Sequence, residues 1–387
     1  NQTLIFMKNL FYFSIAGLVL FEITKVFFIM PMPGSQRIES LDWAYALNQY
    51  RWILRAIFGI LICICFRPAF HDSKWKSGIA LAALLGILYL LNFELSADHM
   101  FYQPRTLQMA DATSNKVSPE KLVLGIQSNG QAKAYPIQFM GYHHQVLDIV
   151  GGTPVMVTYC TVCRSGRIFS PIVNGKPETF RLVGMDHFNA MFEDATTHSW
   201  WRQATGEAVA GPLKGTSLPE LPSTQTTLQE WLDLYPNSLV MQRDPFFQAE
   251  YDSMDTYDLG IGRGKLTGSD TASWNEKSWV VGVALDQKTA KAFDWNRLKK
   301  ERIIQDKVGD QPIVLVLASD KASFTAFKHP DSGAIFTFQN DTLSLGDKRW
   351  DLLGRALNPA DSNLIKIPAY QEFWHSWQTF HPYTMKY

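Results

Sequence analysis

The chain carries no surplus of charge: 36 Lys and Arg are matched by 36 Asp and Glu. With no global basic field to attract a polyanion, nucleic acid is not an expected partner. Cysteine is scarce, with four in 387 residues, which excludes a disulfide-stapled scaffold. There is no Gly-x-Ser-x-Gly turn and no Ser-His-Asp order, so serine hydrolase chemistry has no support. No Gly-rich loop sits between a strand and a helix. Gly260-Ile-Gly262-Arg-Gly264 lies in a stretch rich in Asp, Gly and Ser and reads as a loop, so no nucleotide cofactor is expected.

Long hydrophobic runs are present, and they are confined to the first hundred residues. Leu10–Met30 is long enough to cross a bilayer core, too long for a signal-peptide core, and no small-residue cleavage site follows it. It contains Glu22 and Lys25, spaced to share a helix face and expected to be a neutralised pair against a neighbouring helix. Trp52–Phe66 holds Arg55. It spans if Arg55 snorkels or if the helix starts upstream, near Leu41. Ile79–Leu91 is the third segment. Lys8, Arg67, Lys74 and Lys76 would share one side of a three-span anchor. That bias favours a cytoplasmic second loop and a soluble part facing outward from a bacterial inner membrane. The bilayer is thus the one partner read directly. A small molecule, metal ion or protein partner is left open.

The remainder contains an internal repeat. Ala132-Lys133-Ala134-Tyr135 matches Ala290-Lys291-Ala292-Phe293, and Asp148 through Val157 aligns without a gap to Asp306 through Leu315. Trp231 through Pro236 resembles Trp377 through Pro382. Short apolar or alternating runs (122–127, 145–150, 155–159, 178–183) predict strands. Helices are expected near 227–234 and 370–380. The expected fold is α+β and β-rich: two tandem pseudo-equivalent lobes preceded by about three transmembrane helices. The boundaries are an anchor over 1–97, a first lobe over 98–240, a linker over 241–275 and a second lobe over 276–387.

Cys160 and Cys163 close a strand in a Cys-x-x-Cys turn, which brings two sulfurs within reach of one metal or of each other. The second copy has Ala318 and Lys321 there, so the scaffold does not need the thiols. Three readings stay open. The first is one copper or zinc ion held by Cys160, Cys163 and His143, with His144, His187, Met185 and Met191 as weaker ligand candidates. The second is a redox dithiol with Arg164 as activating charge. The third is a structural disulfide in a non-catalytic membrane-tethered binding or scaffold module. The choice of His143 is geometric. It lies as far before Gly151-Gly152 as Cys160 lies after, so an antiparallel hairpin places both at one end, and strand alternation turns His144 to the other face. Tyr159, Ser165, Glu193, Trp201 and Gln203 are further candidate pocket residues.

Val157-Thr-Tyr159-Cys160-Thr-Val-Cys163-Arg-Ser165-Gly166, Met191 through Pro212, Arg243-Asp244-Pro245 and Phe373-Trp374-His-Ser-Trp377-Gln-Thr-Phe380-His-Pro382 resemble, in order, the signature of the family catalogued as domain of unknown function 3179. The resemblance covers about residues 100–387. It implies a bacterial or archaeal protein, often exported, and brings no activity with it. His144, Leu147, Thr161 and the Phe192-Glu193-Asp194 run depart from the family's usual residues. The Cys pair and His143 match it.

Overall fold

The computed structural model of the chain describes residues 2–387 apart from 262–263, 287 and 331–332, so Gly262 of the Gly260–Gly264 stretch lies outside the described residues. Helix and strand take nearly equal shares, 32% and 31%. The long helices fall in the first hundred residues and the strands after them, so the fold is α+β with a β-rich remainder. Two compact units divide the chain: residues 1–102, 180–202 and 208–216 form one, and residues 103–179, 203–207 and 217–387 the other.

The first unit holds three helices long and apolar enough to cross a membrane: Gln2–Phe27, Arg51–Asp72 and Lys74–Glu94. The second begins at Arg51 because Tyr50 leaves the helical region and separates it from a short helix, Leu41–Gln49. Lys8 meets Asp72 at 2.8 Å, which brings the first helix to the second loop. Glu22 is fully buried. It bonds Lys25 Nζ at 2.8 Å and takes two hydrogen bonds from Arg55, at 2.6 and 3.0 Å. Asn92 of the third helix donates to Glu22 at 3.1 Å and accepts from Arg55 at 2.6 Å. Arg55 is therefore satisfied by partners within the bundle, where the sequence alone suggested snorkelling.

A four-stranded antiparallel sheet belongs to the same unit, in the order Ala208–Ala210, Trp200–Arg202, Asn189–Asp194, Phe180–Asp186. It rests on the chain between the first two spans. The amide of Met185 donates to the carbonyl of Ile29 at 2.7 Å, and Trp200 meets Tyr45 edge-to-face with centroids 5.1 Å apart. Gly184 allows the approach: a Cβ there would lie 2.2 Å from the Ile29 oxygen.

In the second unit one order of elements occurs twice. The strands Leu122–Ser128 and Gln131–Pro136, the helix Ile137–His143 and the strands Gln145–Val150, Thr153–Cys160 and Ser165–Phe169 follow one another. The same order returns as Trp279–Ala284, Ala290–Asp294, Trp295–Glu301, Ile303–Val308, Gln311–Leu317 and Phe324–Lys328. Local detail recurs too. Both helices end on a left-handed residue, His144 at φ 62° and Arg302 at φ 66°. Each of these residues offers its carbonyl to the neighbouring strand, to Tyr159 N and Leu317 N, at 2.9 Å. Both hairpins turn on a glycine of positive φ, Gly151 at 54° and Gly309 at 57°. Both runs of elements lie within one compact unit. The stretch 370–380 is helical only from Trp374; Ala369–Phe373 is a strand paired with Trp279–Ala284.

A buried Trp sits over a glycine in each of the two runs. A Cβ on Gly125 would lie 2.3 Å from the Trp231 ring, and one on Gly282 would lie 2.2 Å from the Trp377 ring. Neither ring can move, because Trp231 is 1% and Trp377 0% exposed. Overpacking of this kind costs about 1–3 kcal/mol. Gly125→Ala and Gly282→Ala are each expected to lower the melting temperature of the full chain in detergent. Gly78→Ala, with nothing within 4 Å of its Cβ, should leave it unchanged.

Candidate functional site

The hairpin Gln145–Val150/Thr153–Cys160 has the register counted from the sequence, with Val150 opposite Thr153 and Gln145 opposite Thr158. Gly151 and Gly152 both have positive φ, as a two-residue type I′ turn requires. Cys160 is the last residue of its strand and pairs with Ser165, so Thr161–Arg164 form the turn between two strands. Both cysteine side chains are fully buried.

Three successive carbonyls of this turn are bonded by three separate segments. Thr161 O accepts from Tyr257 Oη at 2.7 Å, Val162 O from Lys277 Nζ at 2.9 Å, and Cys163 O from the Phe373 amide at 2.9 Å. The 241–275 stretch, which composition alone makes a linker, thus supplies Tyr257 to the turn. Arg164 is fully buried beneath it. Its guanidinium donates to the carbonyls of Tyr257 and Thr267 and lies 3.6 Å from the Tyr257 ring centroid. The cation whose charge acts on both sulfurs is Lys277. Its Nζ also lies 3.1 Å from His375 Nε2. Burial pushes the Cys163 thiol well above the ordinary thiol value, and its hydrogen-bonded neighbour Cys160 adds to the effect; the Ser376 hydroxyl opposes it. Lys277, Tyr257, His375 and Ser376 were not singled out as site residues from the sequence. The closing Phe373–Pro382 motif was the only signal that could have pointed to two of them.

The other candidates separate. Ser165 Oγ donates to Gln203 Oε1 at 2.9 Å, and the Gln203 amide donates to Thr158 Oγ1 and to Ser165 O at 3.1 Å. Tyr159 packs edge-on to Tyr257. His143 ends the helix Ile137–His143 instead of opening the strand, so strand alternation does not aim its ring. Its Nε2 lies 2.6 Å from Tyr251 Oη, among Tyr142, Phe247 and Tyr251. His144, at the left-handed position, has Nε2 3.4 Å from Thr161 Oγ1 on the Cys turn. Met185, His187, Met191, Glu193 and Trp201 belong to the first unit. There His187 bonds Asp186, Glu193 bonds Arg181 and Trp200, and Trp201 bonds Asp194. Among the described residues no group of three or more His, Cys, Asp and Glu side chains is placed to hold one metal ion.

A cavity of about 680 Å³ in the second unit borders Trp279, Trp295, Asp258, Asp320 and Lys321; neither thiol lines it. It therefore adjoins the turn between the strands Gln311–Leu317 and Phe324–Lys328.

Burial lowers the pKa of His144 to about 4 and does the same at His375, where Lys277 adds to the effect. Both imidazoles are neutral in the native state. An unfolded His titrates near 6.5, so the full contribution is present above about pH 6.5 and is lost as pH falls from there toward 4. The melting temperature should drop across that window, and His375→Gln should shallow the drop. An equal slope in the variant would show that His375 takes no part.

The family described as protein of unknown function DUF3179 matches residues 102–384, and the chain belongs to it. No curated protein and no solved structure is detectably similar to it.

Proposed function

We propose that this DUF3179 member is a membrane-anchored, extracytoplasmic thiol–disulfide protein whose working pair is Cys160 and Cys163. The observation that carries the reading is the turn itself: two buried thiols three residues apart, with the Lys277 ammonium bonded at 2.9 Å to the Val162 carbonyl between them. Burial holds Cys163 as the thiol, and a nearby cation favours the thiolate, the attacking species, once the turn is uncovered. In the reaction one thiolate attacks a disulfide of a partner protein and forms a mixed disulfide. The second thiol then displaces the partner, closing the Cys160–Cys163 bond. The partner leaves as a dithiol, and the two electrons pass to it. Because both sulfurs are buried, exchange requires the turn to be uncovered. The Lys277 and Phe373 bonds to Val162 and Cys163 are the contacts that would have to open.

A closed zinc site takes four ligands. The described residues offer two sulfurs, with His143 engaged by Tyr251, so tetrahedral zinc does not fit. Copper(I), which soft thiolates select, is the competing occupant. We further read the two copies as a duplication in which one turn carries the chemistry and the other, with Ala318 and Lys321, the scaffold alone.

The test uses the full chain in detergent, with Cys63 and Cys65 changed to Ser. Diamide should remove the mass of two hydrogens and block alkylation of both remaining thiols. Cys160→Ser or Cys163→Ser should abolish the mass change. An unchanged mass after diamide, with one copper per chain in elemental analysis, would replace this reading with metal binding.

The outward orientation rests on Lys8, Arg67, Lys74 and Lys76 at one end of the bundle. An alkaline phosphatase fused after Tyr387 should be active in a bacterial host. An inactive phosphatase beside a fluorescent cytoplasmic reporter at the same position would reverse the orientation.

A further inference from the structure

A second site lies within the anchor unit, and it is polar where a membrane protein is expected to be apolar. A cavity of about 560 Å³ opens at the ends of the three spanning helices that carry Lys25, Arg51 and Asn92. Four cations face it, Lys25, Arg51, Arg55 and Arg181, against two carboxylates, Asp98 and Glu193. Glu22, buried behind the lining, answers Lys25 and Arg55 together. Four positive charges less three negative ones leave one positive charge in excess.

The cations are unevenly matched: Lys25, Arg51 and Arg55 have one carboxylate, Glu22, among them, while Arg181 has two. Arg181 is held on both sides, by Asp98 at 3.1 Å and Glu193 at 2.8 Å. Arg55 and Lys25 share Glu22. Arg51 alone bonds no carboxylate among the described residues: its guanidinium donates to the Asn48 carbonyl at 2.5 Å, and the Glu193 charge reaches it only through space. Arg51 is also the first residue of its helix, and Tyr50 gives that helix no side-chain cap. A helix N-terminus beside a guanidinium favours an anion.

The third helix shows a further sign of a built site. Its last turn, Leu90–Glu94, is a π-helix, a distortion that recurs at functional sites. It places Asn92 against Glu22, Lys25 and Arg55. Ionisable groups at membrane depth are costly and mark sites of function. Val26, Leu91 and Trp52 also line the cavity, giving it apolar walls beside its charges.

We propose that this cavity binds a phosphate-bearing headgroup, with Arg51 as the residue that receives the phosphate. Arg takes a phosphate through two parallel N–H bonds, which a Lys point charge does not reproduce. The site lies at the level where a phospholipid headgroup sits, at the helix ends, and the same chemistry would accept free phosphate.

The test takes the purified full chain in detergent, delipidated, with phosphatidylethanolamine or phosphatidylglycerol in mixed micelles, or with inorganic phosphate. Native mass spectrometry should show one phospholipid retained per chain. Arg51→Gln should weaken retention by about tenfold or more, the loss of a charge-assisted bond pair. Lys76→Gln, at the opposite end of the bundle, should leave it unchanged, which separates a specific site from the lipid annulus. Arg51→Lys should restore part of the binding, and this shows that the Gln variant has not simply unfolded. If no lipid is retained but inorganic phosphate raises the melting temperature of the parent and not of Arg51→Gln, the source is free phosphate and the site stands. Equal retention by parent, Arg51→Gln and Lys76→Gln, with no phosphate effect, overturns the proposal.

Discussion

The second unit depends on one buried ion pair. Arg167 follows the Cys turn on the strand Ser165–Phe169. It meets Glu372 of the C-terminal strand at 2.7 Å, with side chains only 2% and 1% exposed. Its guanidinium also lies 3.5 Å from the Tyr370 ring centroid, and Ser376 donates to the second Glu372 oxygen at 2.5 Å. Removing one partner of such a pair strands a charge in a low dielectric, at a cost of about 3–5 kcal/mol. The pair therefore specifies where the strand Ala369–Phe373 docks. Once it is docked, the Phe373 amide reaches Cys163 O and Ser376 reaches the Cys163 thiol. The surroundings of residues 160–163 are thus assembled by residues two hundred positions away.

Much of the local structure was legible in the sequence because it follows local rules. Gly151-Gly152 fixes a two-residue turn, and once the turn is fixed the pairing of Gln145 with Thr158 is arithmetic. The apolar runs of the anchor gave the spans, and the Glu22–Lys25 spacing gave a shared face. The rule failed where the backbone changed state. Alternation assumes a strand through His143, but the chain is helical up to that residue and left-handed at His144. It is His144 that lies against Thr161, while His143 turns to Tyr251. Periodicity also cannot tell the strand Ala369–Phe373 from the helix that follows, since four or five residues suit either.

Composition misled more deeply in the 241–275 stretch. Asp, Gly and Ser are what a linker contains, but they are also what tight turns contain. Here the turns serve to place Tyr251, Tyr257 and Asp258, which are almost fully buried. Lys277 was invisible for another reason. A lone Lys at the start of an apolar run carries no pattern, and only the folded chain shows that its ammonium reaches Val162 O.

One feature of the anchor unit bears on how the protein can be handled and how it must mature. The family's sequence is not confined to the second unit: residues 180–202 and 208–216 leave it to join the membrane helices. The face they bury there is apolar, with Val183, Met191, Trp200, Val209 and Ala210 against Phe28, Ile29, Leu41 and Tyr45. A fragment starting at residue 103 would carry that sheet with its cover removed, and exposed apolar patches of this kind drive aggregation. In the cell the same dependence sets an order of events. The helices leave the ribosome before the sheet, so the sheet emerges to find its cover already in place.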